Sequence, residues 1–425
     1  MKINFLILLL FSLITMAQST VKTNPLPSVS KSNENYSKVL GWENNRTPKA
    51  PAGFNVNKYA DGFENPRWMY ATPNGDILVA ESNSNYSIPK QVGAAIIGAG
   101  KANNLKNSAD VITLLRDADN DGIPETRHTF LTAKEGLNQP FGMLVIGKWF
   151  YVANTDGVMR YPYKNGQTKI TAKGKKIIAL PAGNHNRHWT RNIIASADNS
   201  KIYIAVGSGS NIDENGIENE KMRGNILEMN PDGSGVRVYA SGLRNPVGMG
   251  WAPKTKTLWT VVNERDELGD DLVPDYLTSV RENGFYGWPY SYFGQHLDMR
   301  VKEMKPELVK KAIVPDFALG AHTASLGLAF YTGKAFPEKY RNGAFIAQHG
   351  SWNRQVLSGY RMVFVPFKDG KPSGPEEDFL TGFIVDPEKD QVYGRPVGVI
   401  VAPDGALLMT DDKTNTIWRI SASAN

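Results

Sequence analysis

A phrase that recurs six times, short apolar strands set off by regular turn signals, and a Gly- and Pro-rich composition predict an all-β chain, a six-bladed β-propeller. The phrase begins with a Pro/Gly corner and a short apolar strand. A turn follows, often Pro-Asp-Gly or Pro-Asn-Gly, and then a second strand. Asn65-Pro66-Arg67-Trp68-Met69 leads in this way to the strand ending at Glu81, and Gln139-Pro140-Phe141-Gly142-Met143 to the one ending at Asn154. A divergent third copy runs from Trp189-Thr190-Arg191-Asn192-Ile193 to Val206. Asn245-Pro246-Val247-Gly248-Met249, Ala324-Ser325-Leu326-Gly327-Leu328 and Arg395-Pro396-Val397-Gly398-Val399 open the last three, which reach Val262, Ala347 and Thr410. Third strands follow several copies, as in Asn225–Met229 and Thr416–Ile420. The copies lie roughly 50–80 residues apart, longer than a bare four-stranded blade, so the surplus is expected in loops at 83–110 and 265–320.

Ahead of the repeats, Lys2 and the apolar run from Phe5 to Ile14 precede small residues at Thr15-Met16-Ala17, the pattern of a secretory signal peptide over 1–17. Residues 18–50, rich in Ser, Asn, Lys and Pro, read as a poorly ordered leader or strap, leaving 51–425 for the propeller. The expected protein is periplasmic or secreted, with no membrane span.

Composition narrows the chemistry. The 425 residues contain no Cys, which excludes disulfide scaffolds, Cys-ligated metals and thiol nucleophiles. The 48 basic and 42 acidic residues give a net charge of +6 spread along the chain, so no nucleic-acid partner is expected. Gly-rich nucleotide loops, His-Glu-x-x-His and Gly-x-Ser-x-Gly are all absent.

In a propeller the starts of the blades converge on one axis. The equivalent positions carry Arg67, Phe141, His188, Arg244 with Asn245, Ser325 and Arg395. Three converging arginines call for an anion between them, unless each makes its own salt bridge. His188 is a candidate general base, with His349 as its rival and Arg354 a further anion ligand. After the fourth repeat, Glu264, Arg265, Asp266, Glu267, Asp270 and Asp271 form either a hard-cation site suited to Ca²⁺ or a solvated acidic loop. Asp117, Asp119, Asp121 and Gly122 match the first half of a calcium loop, but His128 replaces its closing Glu; an acidic hairpin turn is the alternative.

These residues, taken with Phe285-Tyr286-Gly287-Trp288-Pro289, resemble the pyrroloquinoline quinone (PQQ)-dependent soluble sugar dehydrogenases, and among them the L-sorbosone dehydrogenase-like branch. The resemblance spans about residues 54–422. It implies PQQ and Ca²⁺ as cofactors, an aldose or sugar aldehyde as substrate, and an external quinone or cytochrome as electron acceptor. It also places His188 as the base, and Arg67, Arg244, Asn245, Arg354 and Arg395 around the cofactor. The backbone carbonyls of Arg265 and Asp266 fall at the calcium, with Glu264 and Asp270 close by. Two positions depart from the glucose-oxidising members: Arg187 replaces an acidic residue, and Tyr393 replaces a second Arg. Outside the resemblance, a carbohydrate- or protein-binding propeller and a calcium-dependent propeller lactonase remain as alternatives.

Overall fold

The computed structural model describes residues 25–423 except positions 86, 97, 103, 104 and 120. The expected signal peptide lies outside the described residues.

Each recurring phrase becomes the first strand of an antiparallel sheet, and its partner phrase becomes the second. The first sheet contains Pro66–Ala71, Ile77–Glu81, Val111–Arg116 and Thr126–Thr132, in that order. The second runs through Met143–Ile146, Trp149–Asn154, Gly157–Pro162 and Lys175–Ala179. Arg191–Ala195, Ile202–Val206, Asn225–Met229 and Arg237–Ser241 make the third, and the short strand Gly284–Phe285 joins its edge. The fourth consists of Asn245–Trp251, Leu258–Asn263, Pro274–Ser279 and Phe317–Ala321. Ser325–Phe330, Gly343–Gln348, Arg361–Lys368 and Glu377–Leu380 form the fifth. In the sixth, Pro396–Val401, Leu407–Asp411 and Thr416–Ala422 are completed by Phe54–Ala60, from the opposite end of the described chain.

The first strand of each sheet contacts the first strand of the next, and the sixth returns to the first. This is a β-propeller arrangement, and the phrase glycines explain the close packing. A Cβ on Gly142 would stand 2.5 Å from the backbone nitrogen of Ile193, and one on Gly248 2.6 Å from the carbonyl oxygen of Leu326. The same crowding occurs between Gly327 and Val397, and between Gly398 and Arg67. Only a residue without a side chain lets neighbouring sheets approach this closely. Aromatic packing closes the other joints: Trp68 stacks on Phe141 with centroids 4.8 Å apart.

The second strands are buried along nearly their whole length, as in Val79, Val152, Ile204, Val261, Ile346 and Leu408, with only Trp149 and Asn263 half-buried at strand ends. Sheets covered on both faces favour such continuous apolar runs over alternation.

One expectation needs correction. Segment 265–320 is not all loop, because Pro274–Ser279 and Phe317–Ala321 supply the third and fourth strands of the fourth sheet. Asp275 interrupts the apolar pattern of the first of these, which obscured it. Segment 83–110 carries the helix Ile88–Ile96. Among the described residues no helix is long and apolar enough to cross a membrane.

Residues 25–50 run across the sheet ends. Lys38–Val39 pairs in parallel with Gln391–Val392, and Lys49 bridges Thr381. Ser30 donates its N–H to the Leu268 carbonyl at 3.0 Å, and Asn35 donates to that of Trp352 at 2.7 Å. The strap thus touches both the acidic loop after the fourth repeat and the loop after the fifth.

Candidate active site

A cleft of about 240 Å³ opens where the third, fourth and fifth sheets meet, lined by Arg187, His188, Arg244, Glu264, Asp266 and His322 among others. His188 enters it from the loop before the third sheet. That loop is held by Arg191, a fully buried guanidinium that donates to the carbonyls of His188 (2.6 Å) and Pro181 (2.8 Å) and to Asn186 Oδ1 (2.8 Å). Opposite, His188 Nδ1 lies 2.9 Å from the Ser208 carbonyl and 3.0 Å from Ser208 Oγ. A carbonyl can only accept, and Ser208 Oγ spends its own proton on the Ser210 carbonyl at 2.6 Å. Nδ1 therefore carries the hydrogen, and Nε2 presents a lone pair. Burial, then the Arg244 and Arg187 charges, pushes the imidazole well below its ordinary value, so His188 is neutral at physiological pH.

Arg244, at the head of the fourth sheet, is saturated by protein acceptors. Its Nη1 donates to the Glu264 carbonyl at 2.6 Å, and its Nη2 to Asn211 Oδ1 at 2.7 Å and Asp266 Oδ2 at 2.9 Å. Arg187 Nη2 donates to the same Asp266 oxygen at 3.0 Å. Burial raises the Asp266 carboxyl, yet Arg244, His322 and Arg187 together hold it well below the usual carboxylate range. His322, which sequence reading overlooked, stands with Nε2 2.9 Å from the Gly269 carbonyl and Nδ1 3.8 Å from Asp266 Oδ1. Asp275, also overlooked, ties the acidic loop to the fifth sheet by accepting from the N–H groups of Glu264 (2.9 Å) and Ser325 (3.1 Å).

Two buried oxygens here, Glu264 Oε1 and Asn245 Oδ1, have no hydrogen-bond partner among the described residues. Asn245 packs against Gly207 beside the His188 Cβ. The other Glu264 oxygen accepts from Arg265 Nε at 3.0 Å. Arg265 then turns away from the cleft to the Pro289 and Ser291 carbonyls and Asp298. An unpaired buried carboxylate oxygen is costly, and a hard cation would satisfy it. The Asp266 carbonyl is less available, because it accepts from Arg300 Nη1 at 3.0 Å and Asn211 Nδ2 at 3.2 Å. Asp270 faces the strap instead, where it accepts from the N–H groups of Asn33 (3.0 Å) and Gln355 (2.9 Å). Arg354 pairs with Asp271 at 2.9 Å, and neither Asp270 nor Arg354 lines the cleft.

The other two arginines lie in a second cluster, where the fifth and sixth sheets approach the first, and of the two only Arg67 bonds its carboxylate. Arg67 Nη1 donates to Asp412 Oδ2 at 2.6 Å, His349 Nε2 lies 3.0 Å from Asp412 Oδ1, and Lys413 Nζ is 3.4 Å from Asp412. Arg395 donates to the His349 and Gly350 carbonyls at 2.9 Å each, and its N–H bonds Asp411. Burial first, then Arg395, pushes His349 down to about 3, so the rival histidine is neutral and tied to Asp412. Arg67 Nε is buried with no hydrogen-bond partner among the described residues. The cluster sets Arg67 and Lys413 against the Asp412 carboxylate, while the Arg395 guanidinium beside them bonds backbone carbonyls. The expected ring of three arginines is thus two groups, since Arg244 spends its donors on Asp266 and Asn211.

Asp117, Asp119, Asp121 and Glu125 bring their carboxylates together, all within 4.8 Å, in the turn between the third and fourth strands of the first sheet. Several of these oxygens accept backbone N–H groups of the same turn, such as Gly122 to Asp117 at 2.8 Å.

Comparison with known proteins agrees with this architecture. An uncharacterized protein of Borreliella burgdorferi is 30% identical over 311 residues, covering 70% of this chain and 79% of that one. Aldose sugar dehydrogenase YliI of Escherichia coli is 27% identical over 239 residues, which span 52% of this chain and 56% of that enzyme. The holo form of the pyranose dehydrogenase PQQ domain from Coprinopsis cinerea superimposes with a TM-score of 0.71 over 91% of this chain and all of that one. At 18% identity, that likeness speaks for the fold alone. The family model for glucose/sorbosone dehydrogenases matches residues 151–419, a stretch that runs from the second sheet to the sixth and includes His188, Arg244, Glu264 and Arg395. The chain belongs to the glucose/sorbosone dehydrogenase family.

Proposed function

We propose that this chain is an exported sugar dehydrogenase, periplasmic or secreted, that oxidises an aldose or sugar aldehyde using PQQ and Ca²⁺. In this reading the six sheets are the six blades of one propeller over 51–425. Of the leader at 18–50, the described residues 25–50 are a strap laid across them, and 1–17 are a removable signal.

The observation that carries the reading is the neutral His188, with Nδ1 fixed by Ser208 and Nε2 directed to a cleft bordered by guanidinium groups. His188 Nε2 removes the proton from the anomeric hydroxyl as the anomeric carbon gives up hydride, so an aldose leaves as its lactone. Arg244 and Arg187 keep His188 unprotonated between turnovers, because a second cation beside them is unfavourable. Asp266 balances both arginines and fixes their forks.

The residues present fit the two cofactors. Arg67, Arg395 and Lys413 offer a tricarboxylate the buried positive excess around Asp412, with the Arg67 Nε–H unpaired. Glu264 Oε1 offers a hard cation an oxygen that lacks any donor. When bound, the quinone supplies the two-electron acceptor and calcium the Lewis acid that polarises it. Electrons then leave to an external quinone or cytochrome.

The test is reconstitution: apo-protein receives PQQ and Ca²⁺, and dye reduction is followed over a panel of aldoses and sugar aldehydes. Turnover that requires both additions is the expected result. The absence of any PQQ-dependent absorbance change at micromolar concentrations would overturn the reading.

A further inference from the structure

Ile77–Glu81 and Val111–Arg116 are antiparallel neighbours in the first sheet, which a two-residue turn could join, yet the segment between them is far longer. It carries the helix Ile88–Ile96 and ends against the second cluster, where Arg395 Nη1 donates to the Ala102 carbonyl at 3.2 Å. Its surface has two distinguishing features. Val92 and Ile96, one helical turn apart and so on one face, are 54% and 79% exposed. Ile96 is the most exposed large apolar side chain among the described residues. Around this pair, the sequence 82–109 contains three lysines, Lys90, Lys101 and Lys106, and no acidic residue.

The positive charge continues past the end of the segment. Lys101 borders a cavity of about 950 Å³ whose other charged members are Arg46, Lys58, Lys413, Asp61 and Asp412. Lys58 pairs with Asp61 at 2.8 Å and Lys413 with Asp412 at 3.4 Å. Arg46 and Lys101 are left with no acidic partner among the described residues, and Arg46 rests on the ring of Tyr393, which does not cancel its charge.

A small anion has no use for protruding aliphatic side chains, and a neutral partner has none for the unpaired cations. An anionic lipid surface uses both: aliphatic side chains enter the boundary between headgroups and acyl chains, and basic groups meet the lipid phosphates. We infer that segment 83–110 docks the protein on an anionic lipid bilayer, with Val92 and Ile96 entering the interface and Lys101 and Arg46 facing its phosphates. The helix lies on the bilayer rather than across it, since it has only nine residues. Two aliphatic anchors give weak attachment, so docking is reversible and falls with ionic strength. The inference does not rest on the dehydrogenase reading, because it uses no residue of the His188 cleft.

The chain contains no Cys, so Ile96→Cys and Ile123→Cys variants each accept one environment-sensitive nitrobenzoxadiazole label. Ile123 is 63% exposed in the turn between the third and fourth strands, at the opposite end of the first sheet, and serves as the control. The protein as exported, freed of residues 1–17, is mixed with vesicles of phosphatidylcholine alone or with added phosphatidylglycerol. The label at 96 is expected to brighten and shift to the blue with the anionic vesicles, and to lose that response in about 1 M salt. The label at 123 is expected to stay unchanged. Sedimentation of the unlabelled protein should show about tenfold tighter binding to anionic than to neutral vesicles. Lys101→Gln should weaken that binding about fivefold, and Val92→Ser/Ile96→Ser should reduce it further, with circular dichroism confirming that each variant is folded. No vesicle binding, equal binding to both lipid compositions, equal response at 96 and 123, or undiminished binding by the folded Val92→Ser/Ile96→Ser variant would overturn the proposal. Retention on immobilised polyglutamate without any vesicle binding would overturn it in favour of an acidic protein partner.

Discussion

Replacing Asp412 with Asn removes the one negative charge bonded to Arg67, His349 and Lys413 while keeping the side chain's shape. The Asp412 side chain is 1% exposed and receives Arg67 at 2.6 Å. The amide oxygen can still accept from Arg67, and the amide N–H can face His349, which shifts tautomer to accept it. What is lost is charge, leaving Arg67 and Lys413 buried without their counter-ion. Breaking a buried pair in this way costs about 3–5 kcal/mol, a large fraction of the stability of most folded chains. Urea denaturation of the apo-protein at pH 7, followed by tryptophan fluorescence, reads the loss directly. The pH dependence has a definite sign. Burial opposes ionisation of Asp412, but Lys413, His349 and Arg67 hold its carboxyl well below the ordinary 3.8. Its stabilisation is therefore fully present above about pH 4 and is lost as pH falls through the folded value. The gap between wild type and variant should be constant above that point and narrow below it. A loss under about 1 kcal/mol at pH 7 would show that these cations are not held by Asp412 and would refute the argument.

Glu264→Gln should weaken calcium binding by about tenfold or more, read as a shift in the Ca²⁺ concentration that raises the melting temperature; an unchanged titration would place the ion elsewhere. Gly142→Ala drives a methyl to 2.5 Å from the Ile193 nitrogen, so the second and third sheets must separate at a cost of about 1–3 kcal/mol by denaturation, and a neutral result would contradict the packing. Because the His188 pKa is lowered from 6.5, the base is already neutral there, and kcat/KM should stay flat as pH falls through 6.5. An acid limb centred at or above 6.5 would mean that the histidine is not desolvated as described.

Much of the architecture was legible because each blade begins with the same local grammar. All six phrases became first strands, and the glycine in four of them marks where the next sheet presses close. The closure of the sixth sheet was not legible, since Phe54–Ala60 pairs with Thr416–Ala422 across almost the whole sequence and no local pattern announces it. Repeat phase pointed to His188 and Arg244, which line one cleft, to Asn245 beside His188, and to Arg67 and Arg395, which lie in a second cluster. Asp412 could have been found in the same way, because Asp412-Lys413 follows the second strand of the sixth repeat as Glu264 follows that of the fourth. His322 and Asp275 carried weaker signals, a lone histidine in a turn and a lone acid in an apolar strand. The direction of a side chain is set by partners that sequence does not display. Asn33 and Gln355 draw Asp270 toward the strap, and Asp298 draws the Arg265 side chain out of the cleft.

The central claim is that His188 Nε2 takes the substrate proton and that PQQ binding does not depend on it. The most direct measurement is a His188→Gln variant, with PQQ binding followed by absorbance and turnover followed on the best aldose found by reconstitution. The account predicts unchanged PQQ affinity, with kcat lower by about 10²–10⁴-fold. A variant that binds PQQ and turns over at the wild-type rate would contradict it.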